Sequence, residues 1–161
     1  MGIQLIRGII ASGPASLDYL LSAGSPASAG SRPGTGDDKD GSALSGKRIL
    51  VAEDEIIVGL EMQHALENAS ADVIGPAGSL SEALNILATE EIDGAILDLD
   101  LHGEEVFPAA DILQSRGVPF LFHTGHGERA EILRRYNRSA VCVKPCLPED
   151  LLAQLARLMA N

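Results

Sequence analysis

Residues 49–55 read Ile-Leu-Val-Ala-Glu-Asp-Glu, four apolar residues followed at once by three carboxylates. A short unbroken apolar run bounded by polar residues marks a strand buried on both faces. Glu53 and Asp54 therefore fall where that strand ends. The pattern returns three times downstream: GAIL leads into Asp98, FLF into His123-Thr124-Gly125, and VCV into Lys144-Pro145. Strands are expected at Arg48–Ala52, Asp72–Gly75, Gly94–Leu97, Pro119–Phe122 and Ala140–Val143.

Helical patterns separate these strands. Val58, Met62, Ala65 and Leu66 share one helix face, as do Leu80, Ala83, Leu84 and Leu87. Ser79, three residues before Glu82, forms a capping box. The last helix opens on Pro148 with Glu149 and Asp150 in its first turn, which suits a helix N-terminus. Its apolar stripe is Leu151, Leu152, Leu155, Leu158 and Met159. Two further helices are expected near 104–115 and 128–136. Five strands alternating with five helices predict an α/β domain, a doubly wound five-stranded parallel sheet covered on both faces.

Residues 1–46 differ from the rest. From Ser22 to Gly46, Ser, Gly, Ala and Pro dominate, too little apolar surface to offset chain entropy, so a largely disordered N-terminal linker is expected. A short helix over 3–21 would be interrupted by Gly13-Pro14. The folded domain is placed at 47–161.

The chain carries a formal charge of −11. Residues 47–161 hold 9 Lys/Arg against 19 Asp/Glu, a net −10, and no basic stripe. That balance excludes a nucleic-acid backbone or an anionic membrane as natural partners. No run reaches the roughly 18 apolar residues of a membrane span, and the expected location is cytoplasmic. Aromatics are 3% of the chain and Trp is absent, so the core is expected to be aliphatic. Cys142 and Cys146 lack a CxxC pattern; one lies in a strand and one beyond its end, so no disulfide is expected and a reducing compartment is implied.

In an open parallel sheet the carboxyl ends of the strands line one crevice, where ligands bind. Glu53, Asp54 and Asp98 could supply oxygen ligands to a hard divalent cation such as Mg2+. Asp98 would then be a competent nucleophile toward phosphorus. Lys144 and the Thr124 hydroxyl could neutralise and bind the oxygens of a transferring phosphoryl group.

Four pieces, ILVAEDE, AILDLDLHGEE, FLFHTGHGE and VCVKPC, together resemble the receiver domain of two-component response regulators over about residues 47–159. The resemblance implies a flavodoxin-like (βα)5 fold with Asp98 as phosphoacceptor. It implies that Glu53 and Asp54 hold Mg2+, with the backbone carbonyl of Asp100 completing the protein ligands. Thr124 would contact the phosphoryl group, and Lys144 would pair with it beside a cis Lys-Pro bond. A histidine kinase or histidine phosphotransfer protein would supply the phosphoryl group, and an unknown downstream protein would read it. Two departures stand out: the position that often carries a switching aromatic is Val141, and Cys146 follows Lys144-Pro145 where Phe is usual. FLFHTG resembles an atypical Phe-x-Thr-Gly branch, stand-alone or derived from hybrid kinases.

The chain ends directly after the fifth helix, so signalling through protein contacts or service as a phosphate sink is expected, without catalysis beyond self-phosphorylation and dephosphorylation. The alternative is a phosphatase, because Asp98-Leu-Asp100 imitates the DxD of haloacid-dehalogenase-type enzymes. That alternative leaves Glu53-Asp54 without a role. The histidines show no ligand spacing to carboxylates and are read as ordinary, though His126 could face the phosphoryl site. The arginines 129, 134, 135 and 138 are read as a solvated face.

Overall fold

The computed structural model describes residues 43–125, 129–136 and 138–161. The expectations for residues 1–42 and for His126 lie outside these. The chain runs β1 (Arg48–Ala52), α1 (Ile56–Asn68), β2 (Asp72–Ala77), α2 (Leu80–Thr89), β3 (Gly94–Asp98), β4 (Asp100–Leu101), β5 (Glu104–Glu105), α3 (Phe107–Ser115), β6 (Phe120–Thr124), α4 (Arg129–Arg135), β7 (Ser139–Val143) and α5 (Pro148–Met159). The main sheet is parallel throughout, in the order β2-β1-β3-β6-β7. The order reverses between β1 and β3, which opens a crevice at their carboxyl ends.

Alternation along each strand sorts the core into two layers. Ile49, Val51, Ile96, Leu121 and Cys142 pack with Met62 and Leu66 of α1 and with Leu151 and Leu155 of α5. Leu50, Ala52, Ala95, Leu97, Phe120 and Phe122 pack with α2, α3 and α4. Leu44, ahead of the expected domain start, is fully buried against the first layer.

The first layer is aliphatic as expected, but the second is not. All three phenylalanines of the chain gather there with Tyr136, and Phe120, Phe122 and Tyr136 lie pairwise 5.4 Å apart between ring centroids. Such pairs add roughly 0.5–1.5 kcal/mol each beyond the area they bury. Val141 is buried in this same cluster. Few aromatics therefore still make an aromatic half-core, because the topology collects them.

Ser79 caps α2 by accepting from the Glu82 N–H, and Glu82 reaches back to the Gly78 N–H at 2.8 Å. The third helix is shorter than expected. His102 (φ 56°) and Gly103 (φ 86°) turn the chain back on itself, so Asp100–Leu101 and Glu104–Glu105 pair as a small antiparallel hairpin. Asp100 Oδ1 accepts from the Gly103 N–H at 2.6 Å and closes that turn. The helix begins only at Phe107.

Arg134, Arg135 and Arg138 are exposed, as a solvated face requires. Arg135 pairs with Asp111 at 2.9 Å and lies over the rings of Phe107 and Tyr136 at 4.9 and 5.2 Å. Cys142 and Cys146, expected to be unpaired, form a disulfide with Cα atoms 6.3 Å apart. The turn at Lys144-Pro145 folds Cys146 back beside the strand, within the Cα span that disulfides use. Among the described residues no helix is long and apolar enough to cross a membrane.

Candidate functional site

Each site residue is delivered by the end of a strand of the main sheet. Glu53 follows β1, and its N–H donates to the Ala77 carbonyl at the end of β2 (2.9 Å). Gly75 makes this approach feasible: at φ 110°, a Cβ there would lie 2.7 Å from the Val51 carbonyl oxygen. Asp98 closes β3, Thr124 closes β6, and Lys144 follows β7. The Lys144 N–H donates to the Thr124 carbonyl at 2.7 Å, which ties the last two together.

Carboxylate oxygens of Glu53, Asp54 and Asp98 lie within 4.8 Å of one another. Lys144 Nζ is 2.6 Å from Asp98 Oδ2 and 3.1 Å from Glu53 Oε1, with Glu55 at 3.7 Å. The Glu53 side chain is fully buried, and Asp98 is 8% exposed. Asp54 is more open; its Oδ2 accepts from the His102 N–H at 3.1 Å, and Nδ1 of the same residue lies 3.0 Å away. Asp100 is exposed beside the crevice, and its N–H faces Asp98 Oδ1 at 3.4 Å.

Burial and charge pull these groups apart. Burial pushes the Asp98 carboxyl up, and the nearby Glu53 charge adds to this; Lys144 recovers only part. Burial also pushes Glu53 up, but His123 and Lys144 more than offset it, and its carboxyl titrates below the usual range. Burial would lower Lys144, yet its bonds to Asp98 and Glu53 win and raise it. The crevice thus holds one ammonium against two buried carboxylates, with Asp54 at its mouth. Glu53 Oε2 lies 3.1 Å from Lys144 Nζ but is buried without a hydrogen bond among the described residues. That surplus of oxygen and negative charge is what a hard divalent cation requires, and the donor set fits Mg2+.

The histidines are closer to this chemistry than spacing suggested. His102 holds Asp54, and His123 Nδ1 lies 3.5 Å from Glu53 Oε2. No linear signal could reveal either contact, since the partners are 48 and 70 residues apart and meet only across the sheet.

The fold and site together define a doubly wound α/β domain with an acidic, lysine-bearing crevice at its switch point. No protein-family model matches the chain. Transcriptional regulatory protein PdtaR of Mycobacterium tuberculosis is 27% identical over 121 residues, covering 73% of this chain and 59% of that protein. The chain thus spans less than two thirds of the length of the curated relatives it matches. A response regulator receiver protein from Sinorhizobium medicae superposes with a TM-score of 0.66 at 22% identity, covering 73% of this chain and 98% of that one. SdrG from Sphingomonas melonis superposes with a TM-score of 0.61 at 32% identity, with the same coverage. The chain belongs to the receiver domains of two-component response regulators.

Proposed function

We propose that residues 47–161 form a phosphorylation-dependent signalling switch in which Asp98 accepts a phosphoryl group from a histidine kinase or histidine phosphotransfer protein. The observation that carries this is the Asp98 carboxylate, buried at a strand end, 2.6 Å from Lys144 and grouped with Glu53 and Asp54. An Asp98 oxygen attacks the phosphorus of a phosphohistidine, and the P–N bond breaks. Its electron pair stays with the departing imidazole, and Asp98 is left as an acyl phosphate. Water later attacks the phosphorus, releasing inorganic phosphate and the free carboxylate.

Mg2+, held by Glu53, Asp54, Asp98 and the Asp100 carbonyl, would supply the positive charge that neutralises the transferring group. Lys144 exchanges its bond to Asp98 for one to a phosphoryl oxygen, and the Thr124 hydroxyl binds another. The new dianion then changes the surface that a downstream protein reads. A cytoplasmic protein that catalyses no reaction beyond its own phosphorylation and dephosphorylation accords with this role.

Intact mass after incubation with acetyl phosphate and Mg2+ tests the proposal. One added phosphoryl group that requires Mg2+ and is absent in Asp98→Asn is expected. Phosphorylation that persists in Asp98→Asn would refute the assignment, and steady hydrolysis of phosphate esters would favour a phosphatase instead.

A further inference from the structure

His123 is buried beside the crevice, level with Asp98 in the sheet. It lies in β6, paired across the ladder with Asp98 on one side and Cys142 on the other. Two residues after Leu121, it falls on the α1/α5 layer, where its sheet neighbours Ile96 and Leu121 are apolar. Its side chain is only 5% exposed, and neither ring nitrogen has a hydrogen-bond partner among the described residues. Leaving a buried polar group unpaired is costly, a penalty an apolar residue would avoid.

Asp98, in register with His123, shares that face, and the carboxylate within 4 Å of its ring among the described residues is Glu53. Nδ1 is 3.5 Å from Glu53 Oε2, a buried oxygen whose neighbour on the other side is the Lys144 ammonium at 3.1 Å and which accepts no hydrogen bond among the described residues. The Nδ1–Oε2 separation is longer than a hydrogen bond. A small rotation of either side chain would bring it to the roughly 2.8 Å of a charge-assisted bond. The other side-chain donor to Glu53 is Lys144.

We infer that His123 is a positioning residue for Glu53: its Nδ1–H holds one carboxylate oxygen so that the other is presented to the metal. The inference rests on the proposed role of Glu53 as a Mg2+ ligand. Its need is greatest in the phosphorylated state, when Lys144 turns to the phosphoryl group and leaves Glu53. A fully buried carboxylate then depends on the cation and the imidazole.

The test compares Mg2+ affinity by calorimetry for the wild type, His123→Leu and His123→Asn, with thermal unfolding measured on each. Asn places an N–H close to where Nδ1 stands, whereas Leu fills the space without a donor. The expected result is an affinity loss of about tenfold in His123→Leu and near wild-type affinity in His123→Asn, whatever the two do to melting temperature. Equal loss in both variants, or no loss in His123→Leu, would overturn the assignment. The imidazole tautomer of the metal-free wild type, read by long-range 1H–15N NMR, gives a second check that needs no variant. The proton is expected on Nδ1, and a proton on Nε2 alone would refute the contact. If the wild type takes up no Mg2+, the functional proposal falls, while the tautomer still decides the His123–Glu53 contact.

Discussion

Replacing Lys144 by Met should destabilise the metal-free domain in a pH-dependent way. The ammonium is 2.6 Å from Asp98 and 3.1 Å from Glu53. At an effective dielectric constant of about 20 these separations correspond to attractions of about 6 and about 5 kcal/mol. Most of that is offset by the ammonium's desolvation and by about 2 kcal/mol of side-chain entropy. Removing one partner of a buried pair typically costs about 3–5 kcal/mol, because the other charge is stranded. The Lys144 side chain is 21% exposed, so solvent screens part of the effect, and a loss of about 2–3 kcal/mol is expected near neutral pH.

The sign of the pH dependence follows from Glu53. Its carboxyl is held below the usual range, so its ionised form contributes stability above the ordinary value of about 4.3. That contribution is lost as pH falls through the folded value. Without Lys144, Glu53 and Asp98 take up protons at higher pH, and the gap between variant and wild type narrows on acidification. Urea unfolding followed by far-UV circular dichroism, at about pH 8 and about pH 5, measures it. Saturation of the site with Mg2+ to ten times its dissociation constant should recover about 1.4 kcal/mol. A loss that is equal at both pH values, or below about 0.5 kcal/mol at the higher one, would refute the account of Lys144 as the charge that keeps this crevice folded.

Asp98→Asn removes a carboxyl that folding pushes up, so its ionised form is destabilising at neutral pH; thermal melting should show a gain on the order of 1 kcal/mol. Tyr136→Phe deletes the 2.8 Å bond from the hydroxyl to Asp111 and should cost about 1 kcal/mol in urea unfolding, while Tyr136→Ala should cost about 3–5 kcal/mol by opening a cavity. Gly75→Ala places a Cβ 2.7 Å from the Val51 carbonyl at a positive φ and should cost more than about 2 kcal/mol, with Mg2+ affinity falling too because Ala77 anchors Glu53. Cys142 and Cys146 should resist alkylation under denaturing conditions until a reductant is added, after which both should react; alkylation without reductant would show that they are not paired.

Hydrophobic alternation and short apolar runs are local signals, and with the residues at helix starts they were enough for the five main strands, the Ser79 cap of α2, the Pro148 start of α5, and the arrival of Glu53, Asp54, Asp98, Thr124 and Lys144 at strand ends. A buried parallel strand must be apolar along its length and must stop where a polar side chain meets solvent or ligand, so its end is written in the chain itself. Glu104 and Glu105 show the limit of local reading. Both are good helix formers, but the turn at His102-Gly103 pairs them into a hairpin, and propensity yields to that backbone reversal.

What tertiary structure alone decided were the relations between strand ends. Strand order 2-1-3-6-7 lays Asp98 beside His123 and brings Glu53 within reach of both, although nothing in the spacing of residues 53, 98 and 123 announces it. The same order gathers Phe107, Phe120, Phe122 and Tyr136 on one face of the sheet and leaves the other aliphatic. The turn after β7 likewise closes Cys142 on Cys146. Composition and periodicity specify which faces are buried, but burial is non-directional, and only the path of the chain through space determines which polar groups are buried together.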